Sequence, residues 1–261
     1  MALGNLDAYL GQDGGFTVWS QHDNAATNGA LWKYGPPERT QALLEDIFFP
    51  RPKDLVAPFN NRWLAGTPHG QVDVMNVDDE STIADLRRYE LLVFGGWNTV
   101  VPAQRDLLER YVKQGGTLVM SRPELTTRVD RDFKNYTDED LMPPFGFLPP
   151  EGAPGEYVEK RFGKGRLFLF AGREFPAATK EGRDAYRALV RRLAGEVKQS
   201  ATISSATEGE TDAICYAVYG RTAYFLNMDC RRERTFDYVL DGKPGTMTLK
   251  PCEVRILDRK Q

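Results

Sequence analysis

Along the first two-thirds of the chain, short unbroken apolar runs alternate with stretches whose apolar positions recur every three or four residues. The runs Phe16-Thr-Val-Trp19, Gln71-Val-Asp-Val-Met75, Leu91-Leu-Val-Phe94, Thr117-Leu-Val-Met120 and Arg166-Leu-Phe-Leu-Phe-Ala171 read as strands. Leu91-Leu-Val-Phe94 lacks polar alternation, as a strand covered on both faces does. Between the strands, Pro36-Pro37 opens a helix whose Leu43, Leu44, Ile47 and Phe48 share a face, and Pro50 and Pro52 end it. Ser81 begins a short helix with Ile83, Leu86 and Tyr89 on one side. Pro102 begins a longer one, striped by Leu107, Leu108, Tyr111 and Val112 and stopped by Gly115-Gly116. A further helix covers residues 183–198. Strands and helices alternating at this spacing predict a parallel sheet with helices on both faces. Residues 126–157, rich in charge and proline, break the pattern and predict a long surface excursion. Phe162-Gly-Lys-Gly-Arg166 then reads as a hairpin turn or the approach to a strand, since glycine permits positive φ at both positions.

Near residue 200 the period changes from helical to two-residue. Short strand patterns start at Thr202, Ala213, Thr222, Thr235, Gly245 and Cys252, with turn signals at Tyr219-Gly220-Arg221, Asp241-Gly242-Lys243 and Lys250-Pro251. The expected organisation is an α/β domain over residues 1–199 and a small antiparallel β-sandwich over 200–261. Tyr216, Tyr219 and Tyr224 are expected in its core or as cross-strand pairs.

Composition adds exclusions. The 261 residues are 41% apolar and 27% charged, with a net charge of -3. That balance favours neither nucleic acid nor an anionic membrane surface as partner. No apolar run approaches the roughly 18 residues of a bilayer span. Met1 to Leu10 show no signal-peptide pattern, so the expected location is cytoplasmic. Cys215, Cys230 and Cys252 fit no zinc spacing, and their odd number argues against a purely disulfide framework. They are expected as buried small hydrophobes in a reducing compartment.

The segment Tyr89-Glu-Leu-Leu-Val-Phe-Gly-Gly-Trp-Asn98, followed by Val101-Pro-Ala-Gln-Arg-Asp-Leu-Leu-Glu-Arg-Tyr-Val-Lys-Gln-Gly-Gly-Thr-Leu-Val-Met-Ser121, resembles a particular family. It is similar to the class I glutamine-amidotransferase-like, or trimerisation, domain that follows the catalytic barrel of certain β-galactosidases and related glycoside hydrolases. The resemblance implies a flavodoxin-like sheet closed by a small β-domain. It also implies catalytic carboxylates on a separate barrel, for which this chain has no room. The implied role is an accessory or assembly module of a carbohydrate-active protein, as a homo-oligomer or with a partner catalytic subunit.

Amidotransferase chemistry needs a cysteine at a strand-to-helix turn and a downstream histidine. Ser121 stands at the matching place, in Val-Met-Ser-Arg-Pro, without the glycines of a nucleophile elbow. The two histidines, His22 and His69, both lie upstream. A residual amidase through Ser121 is therefore the weakest reading. The predicted strand ends carry a richer set. His22, Asp23, Glu124 and Glu174 are candidate catalytic groups, and Asn24, Trp97, Asn98, Arg122 and Arg173 candidate sugar-binding groups. Ligands of open parallel sheets bind beyond the carboxyl ends of the strands, and sugars need both multidentate polar groups and an apolar platform. A stand-alone glycoside hydrolase built on these carboxylates is the second functional reading. Against it, Asp78, Asp79 and Ser81 read as helix caps, Trp97 as a lid on the core, and Trp19 and Trp32 as structural. No metal-ligand spacing or nucleotide-binding loop occurs, so no cofactor is expected.

Overall fold

The computed structural model describes residues 2–4, 36–49, 67–75, 77, 80–94, 102–125, 146–147 and 149–259. The strand expected at residues 16–19 and most of the excursion expected over 126–157 lie outside them. The chain divides into two compact units, Met1–Leu44 with Asp73–Glu196, and Glu45–Val72 with Val197–Gln261.

The first unit is built on a six-stranded sheet of β1 (Ala2–Gly4), β2 (Asp73–Met75), β3 (Leu91–Phe94), β4 (Thr117–Ser121), β5 (Tyr157–Phe162) and β6 (Gly165–Phe170). The strand order is β2-β1-β3-β4-β6-β5. Five strands run parallel, and β5 pairs antiparallel with β6 through the turn at Gly163. This corrects the expectation of a parallel sheet: the sheet is mixed. The charged edge strand β5 alternates too weakly in sequence to stand out from the excursion before it. The short β1 was likewise not read as a strand.

Four α-helices accompany these strands: α1 (Pro36–Phe48), α2 (Ile83–Leu86), α3 (Pro102–Lys113) and α4 (Lys180–Glu196). Leu107, Leu108, Tyr111 and Val112 of α3 pack on Leu92 and Phe94 of β3, Leu118 and Met120 of β4, and Leu167 and Leu169 of β6. Phe170 points to the other face, because side chains alternate along a strand, and stacks there on Tyr186 of α4 at 5.3 Å. Burying each such side chain contributes roughly 1.5–3 kcal/mol. The N-cap of α2 is Thr82, not Ser81: its hydroxyl and amide exchange bonds with Asp85 three residues on. The Thr82 hydroxyl, donating to the Asp85 carboxylate at 2.6 Å, and after it the Thr82 amide hold that carboxyl below the usual carboxylate range. Asp78 and Asp79 lie outside the described residues.

The second unit holds two three-stranded antiparallel sheets. One is β11 (Lys243–Leu249), β10 (Arg234–Leu240) and β7 (Ala201–Ser204); the other is β12 (Val254–Asp258), β9 (Thr222–Asn227) and β8 (Ile214–Tyr219). They share one core of Ile214, Tyr216, Ala223, Phe225, Phe236, Met247 and Leu249, with Phe225 against Phe236 at 5.9 Å. The β10–β11 turn sits on Asp241 and Gly242, both at positive φ (51° and 76°), which a two-residue hairpin of matching twist requires. Tyr216 is core, whereas Tyr219 and Tyr224 form an exposed edge-on pair at 6.1 Å.

Cysteine pairing departs from the expectation for free thiols. Cys230 and Cys252 form a disulfide, and Cys215 alone is free and buried, its thiol pushed up to about 12 by desolvation. The turns on which Cys230 and Cys252 sit are brought together by Asn227, whose side-chain amide donates to the carbonyls of Arg232, Leu249 and Lys250.

Candidate functional site

The carboxyl end of β4 is closed by its own sequence. Ser121 is the last residue of the strand, and Arg122–Leu125 then form a single 3-10 turn that folds Glu124 back. The Glu124 carboxylate, 1% exposed, accepts the Ser121 amide at 2.6 Å. Arg122, also buried, donates to the Pro149 carbonyl at 2.8 Å and so ties the returning chain to the strand end. At the end of β3, the Phe94 carbonyl accepts the Tyr186 hydroxyl at 2.6 Å. Burial, and after it the nearby Glu124 charge, pushes the Tyr186 phenol far up, so it remains a donor at any working pH.

Ser121 itself is 1% exposed, and its hydroxyl has no hydrogen-bond partner among the described residues. A serine that works as a nucleophile needs a base within reach and an open approach. This one is enclosed. Ser121→Ala is therefore expected to leave stability within about 0.5 kcal/mol of the parent or raise it, because an unmatched buried hydroxyl is removed. Glu124→Ala, by contrast, strips the buried Ser121 amide of its acceptor and is expected to cost about 1–3 kcal/mol. Urea unfolding of the two variants checks the pair. A large loss from Ser121→Ala would show that its hydroxyl has an essential role.

Beyond β6 the surface opens. Glu151, Phe170, Arg173, Glu174, Phe175 and Thr179 help line a cavity of about 160 Å³. One wall is residues 151–156, held by Gly152 donating to the Ala171 carbonyl and Ala171 donating to the Glu156 carbonyl. The opposite wall is the start of α4, where the Thr179 hydroxyl accepts the Gly182 amide at 3.0 Å. On the rim, Arg173 pairs with Glu151. The pair is largely exposed and adds little to stability. The volume equals roughly five waters at about 30 Å³ each. It falls below the usual 300–1,000 Å³ of drug-sized pockets, so it suits a single small ring. Carboxylates, a guanidinium and a hydroxyl beside the Phe170 and Phe175 rings are the donor, acceptor and apolar surfaces that a polyhydroxylated ring uses.

Of the residues expected to form a site, Arg173 and Glu174 meet at this cavity, while Glu124 and Arg122 lie inside the neighbouring strand end. His22, Asp23, Asn24, Trp97 and Asn98 lie outside the described residues. Glu151 and Thr179 were not anticipated. Thr179 carried a signal, a hydroxyl residue just before a helical run. Glu151 carried none, being 22 residues from its partner Arg173. Among the described residues, no group of three His, Cys, Asp or Glu is placed to hold a metal ion.

A mixed α/β unit and a unit of two antiparallel sheets thus define the architecture. No family model matches the chain, and no curated protein matches it. Among solved structures it is similar to a β-galactosidase from the haloarchaeon Halorubrum lacusprofundi, with 18% identity and a TM-score of 0.45 over 98% of this chain and 39% of that one. A β-galactosidase from Bacillus circulans sp. alkalophilus gives 17% and 0.46 over 73% and 35%. Gan42B, a GH42 β-galactosidase, gives 17% and 0.43 over 73% and 34%. The chain spans a little over a third of the length of these proteins. At these levels the likeness assigns no activity to it. No described helix is long and apolar enough to cross a membrane.

Proposed function

We propose that the chain is an accessory or assembly module of a carbohydrate-active, glycoside hydrolase-related protein, without amidotransferase chemistry. One observation carries this reading: Ser121, at the place where the amidotransferase-like fold would hold its nucleophile, is enclosed, with Glu124 turned onto its amide. The sequence resemblance over residues 89–121 supplies the carbohydrate context. The strand order β2-β1-β3-β4-β6 supports a flavodoxin-like sheet, and the shared core of the two smaller sheets supports a β-sandwich, with the domain boundary near residue 199. The Cys230–Cys252 pair favours an oxidising compartment over the cytoplasm expected from the first residues.

In this reading the cavity beyond β6 takes one sugar ring, with Arg173 and Glu174 binding hydroxyls, and a partner subunit or a second copy supplies the rest of the site. A thermal-shift series with monosaccharides, with glutamine as control, tests it. A ligand at 100 times its dissociation constant stabilises by about 2.7 kcal/mol. A sugar-specific shift lost in Glu174→Ala is the expected result, together with no hydrolysis of aryl glycosides by the chain alone. Turnover abolished by Glu174→Gln would overturn the accessory role and favour a stand-alone hydrolase.

A further inference from the structure

The cavity beyond β6 is unevenly charged. Three of the side chains lining it carry charge: Glu151, Arg173 and Glu174. Arg173 donates its Nε proton to Glu151 at 2.5 Å, so the guanidinium is already matched. Glu174 is exposed, and among the described residues its carboxylate has neither an ion pair nor a hydrogen bond. Glu156, in the same wall, accepts the Ala153 amide and adds a further negative charge. The cations at the start of α4 are engaged elsewhere. Lys180 pairs with Asp184 at 2.6 Å, and Arg183 reaches the Ala177 carbonyl. The positive end of the helix does not supply the missing charge either. Thr179 takes the Gly182 amide, Glu181 stands in the first turn, and a Cβ on Gly182 would stand 2.2 Å from the Pro176 carbonyl oxygen. Hydrogen-bonding groups are as one-sided. Pro154 and Pro176 bring no amide proton to the lining, and the Gly152 amide is taken by the Ala171 carbonyl. The carbonyl oxygens of Ala153 and Glu174 lie beside Gly172, another lining residue. The wall is thus rich in acceptors and poor in donors.

We infer, on the reading that this cavity binds a sugar ring, that the ring is an amino sugar in its protonated form, with the Glu174 carboxylate receiving the ammonium. An ammonium brings three donors and no acceptor, the complement of this lining. Its hydrogen bond to a carboxylate is charge-assisted, and so about twice as strong as a neutral one. Arg173, oriented by Glu151, keeps its Nη donors for the ring hydroxyls. Phe170 and Phe175 suit the same ligand, because an aromatic face attracts a cation as well as C–H groups. The same charges disfavour a uronic acid. Its carboxylate would have to draw Arg173 away from Glu151 and lie near Glu174.

Thermal-shift titrations of the full chain at about pH 6 test this, with glucosamine and galactosamine set against glucose, galactose, N-acetylglucosamine and glucuronate. Carboxylates are ionised and the sugar amine is protonated at that pH. The amino sugars are expected to bind at least about tenfold more tightly than the neutral hexoses. Added salt should shrink the difference, because Glu174 is exposed. Glu174→Gln keeps the size and an acceptor but removes the charge, and is expected to bring the amino sugars down to the neutral hexoses. Glu181→Gln, beside the cavity but outside its lining, is expected to keep the preference. Amino sugars that bind no more tightly than hexoses would overturn the inference and leave the sugar reading standing. So would glucuronate binding the more tightly, or a preference that survives in Glu174→Gln. Binding of no sugar at all would remove both.

Discussion

Asp229→Ala is expected to lower the stability of the protein by about 3–5 kcal/mol, the usual cost of breaking a buried ion pair from one side. Asp229 is 2% exposed and Arg234 7%. One carboxylate oxygen takes both the Nε and Nη2 protons of Arg234, at 3.2 and 2.6 Å. The other accepts the amides of Arg231 and Arg232, at 2.9 and 3.1 Å. The same guanidinium reaches Glu210 at 3.2 Å. Removing the carboxylate leaves the buried Arg234 cation with Glu210 and takes from the Arg231 and Arg232 amides the oxygen they donate to. Urea unfolding near neutral pH reads the loss, and a change below about 1 kcal/mol would mean that water replaces the carboxylate at little cost. Asp229→Asn keeps an acceptor for the two amides but not the charge, and is expected to fall between parent and alanine variant.

The same site predicts a pH dependence. Burial opposes ionisation of Asp229, yet Arg234 and the two amides outweigh it and hold the carboxyl below the usual range. A carboxyl depressed in the folded state contributes stability that is fully present above its unfolded value of about 3.9 and is lost as pH falls through the lower folded value. Parent and Asp229→Asn should therefore converge in stability as the solution is taken below about pH 3.9.

The second large effect is expected at Gly165. Its neighbours are backbone: a Cβ there would stand 2.1 Å from the Val112 carbonyl oxygen and 2.2 Å from that of Gly116. The contact arises because β6 must run close under the end of α3 for Arg166 to donate to the Gly116 carbonyl at 3.1 Å and Lys164 to that of Lys113 at 3.1 Å. Backbone cannot swing aside as a long side chain can. Gly165→Ala must displace either the strand or the helix end and lose those bonds, at an expected cost of about 3 kcal/mol or more. Gly195→Ala is the control, since a Cβ at that position meets nothing within 4 Å. It lies in α4, where alanine is favoured over glycine by up to about 1 kcal/mol. Equal melting temperatures for the two variants would sink the close-approach account.

Much of this architecture is legible locally. The apolar stripe of Leu107, Leu108, Tyr111 and Val112 declares a helix through its 3.6-residue period, the short unbroken run Leu91-Leu-Val-Phe94 declares a strand buried on both faces, and both occur as read. The turn at Asp241-Gly242 declares its hairpin, because few residues accept positive φ. Strand β5 is legible only through its partner. Its charged residues face solvent, and the ladder to β6 makes it a strand.

The candidate site divides in the same way. Sequence placed Arg173 and Glu174 just past a strand, where the cavity opens. It gave no sign that Glu124 turns inward, since a carboxylate's direction depends on which amide needs an acceptor. Nor could it bring Glu151 to Arg173, or pair Cys230 with Cys252 while leaving Cys215 free. Each joins residues about twenty apart, and their meeting depends on how the intervening turns pack. Local periodicity, turn chemistry and charge thus determined the elements of this protein by themselves. Which elements became neighbours, and which polar groups were buried as a result, was decided by tertiary packing, because burial and long-range pairing are properties of contacts that no short window of sequence contains.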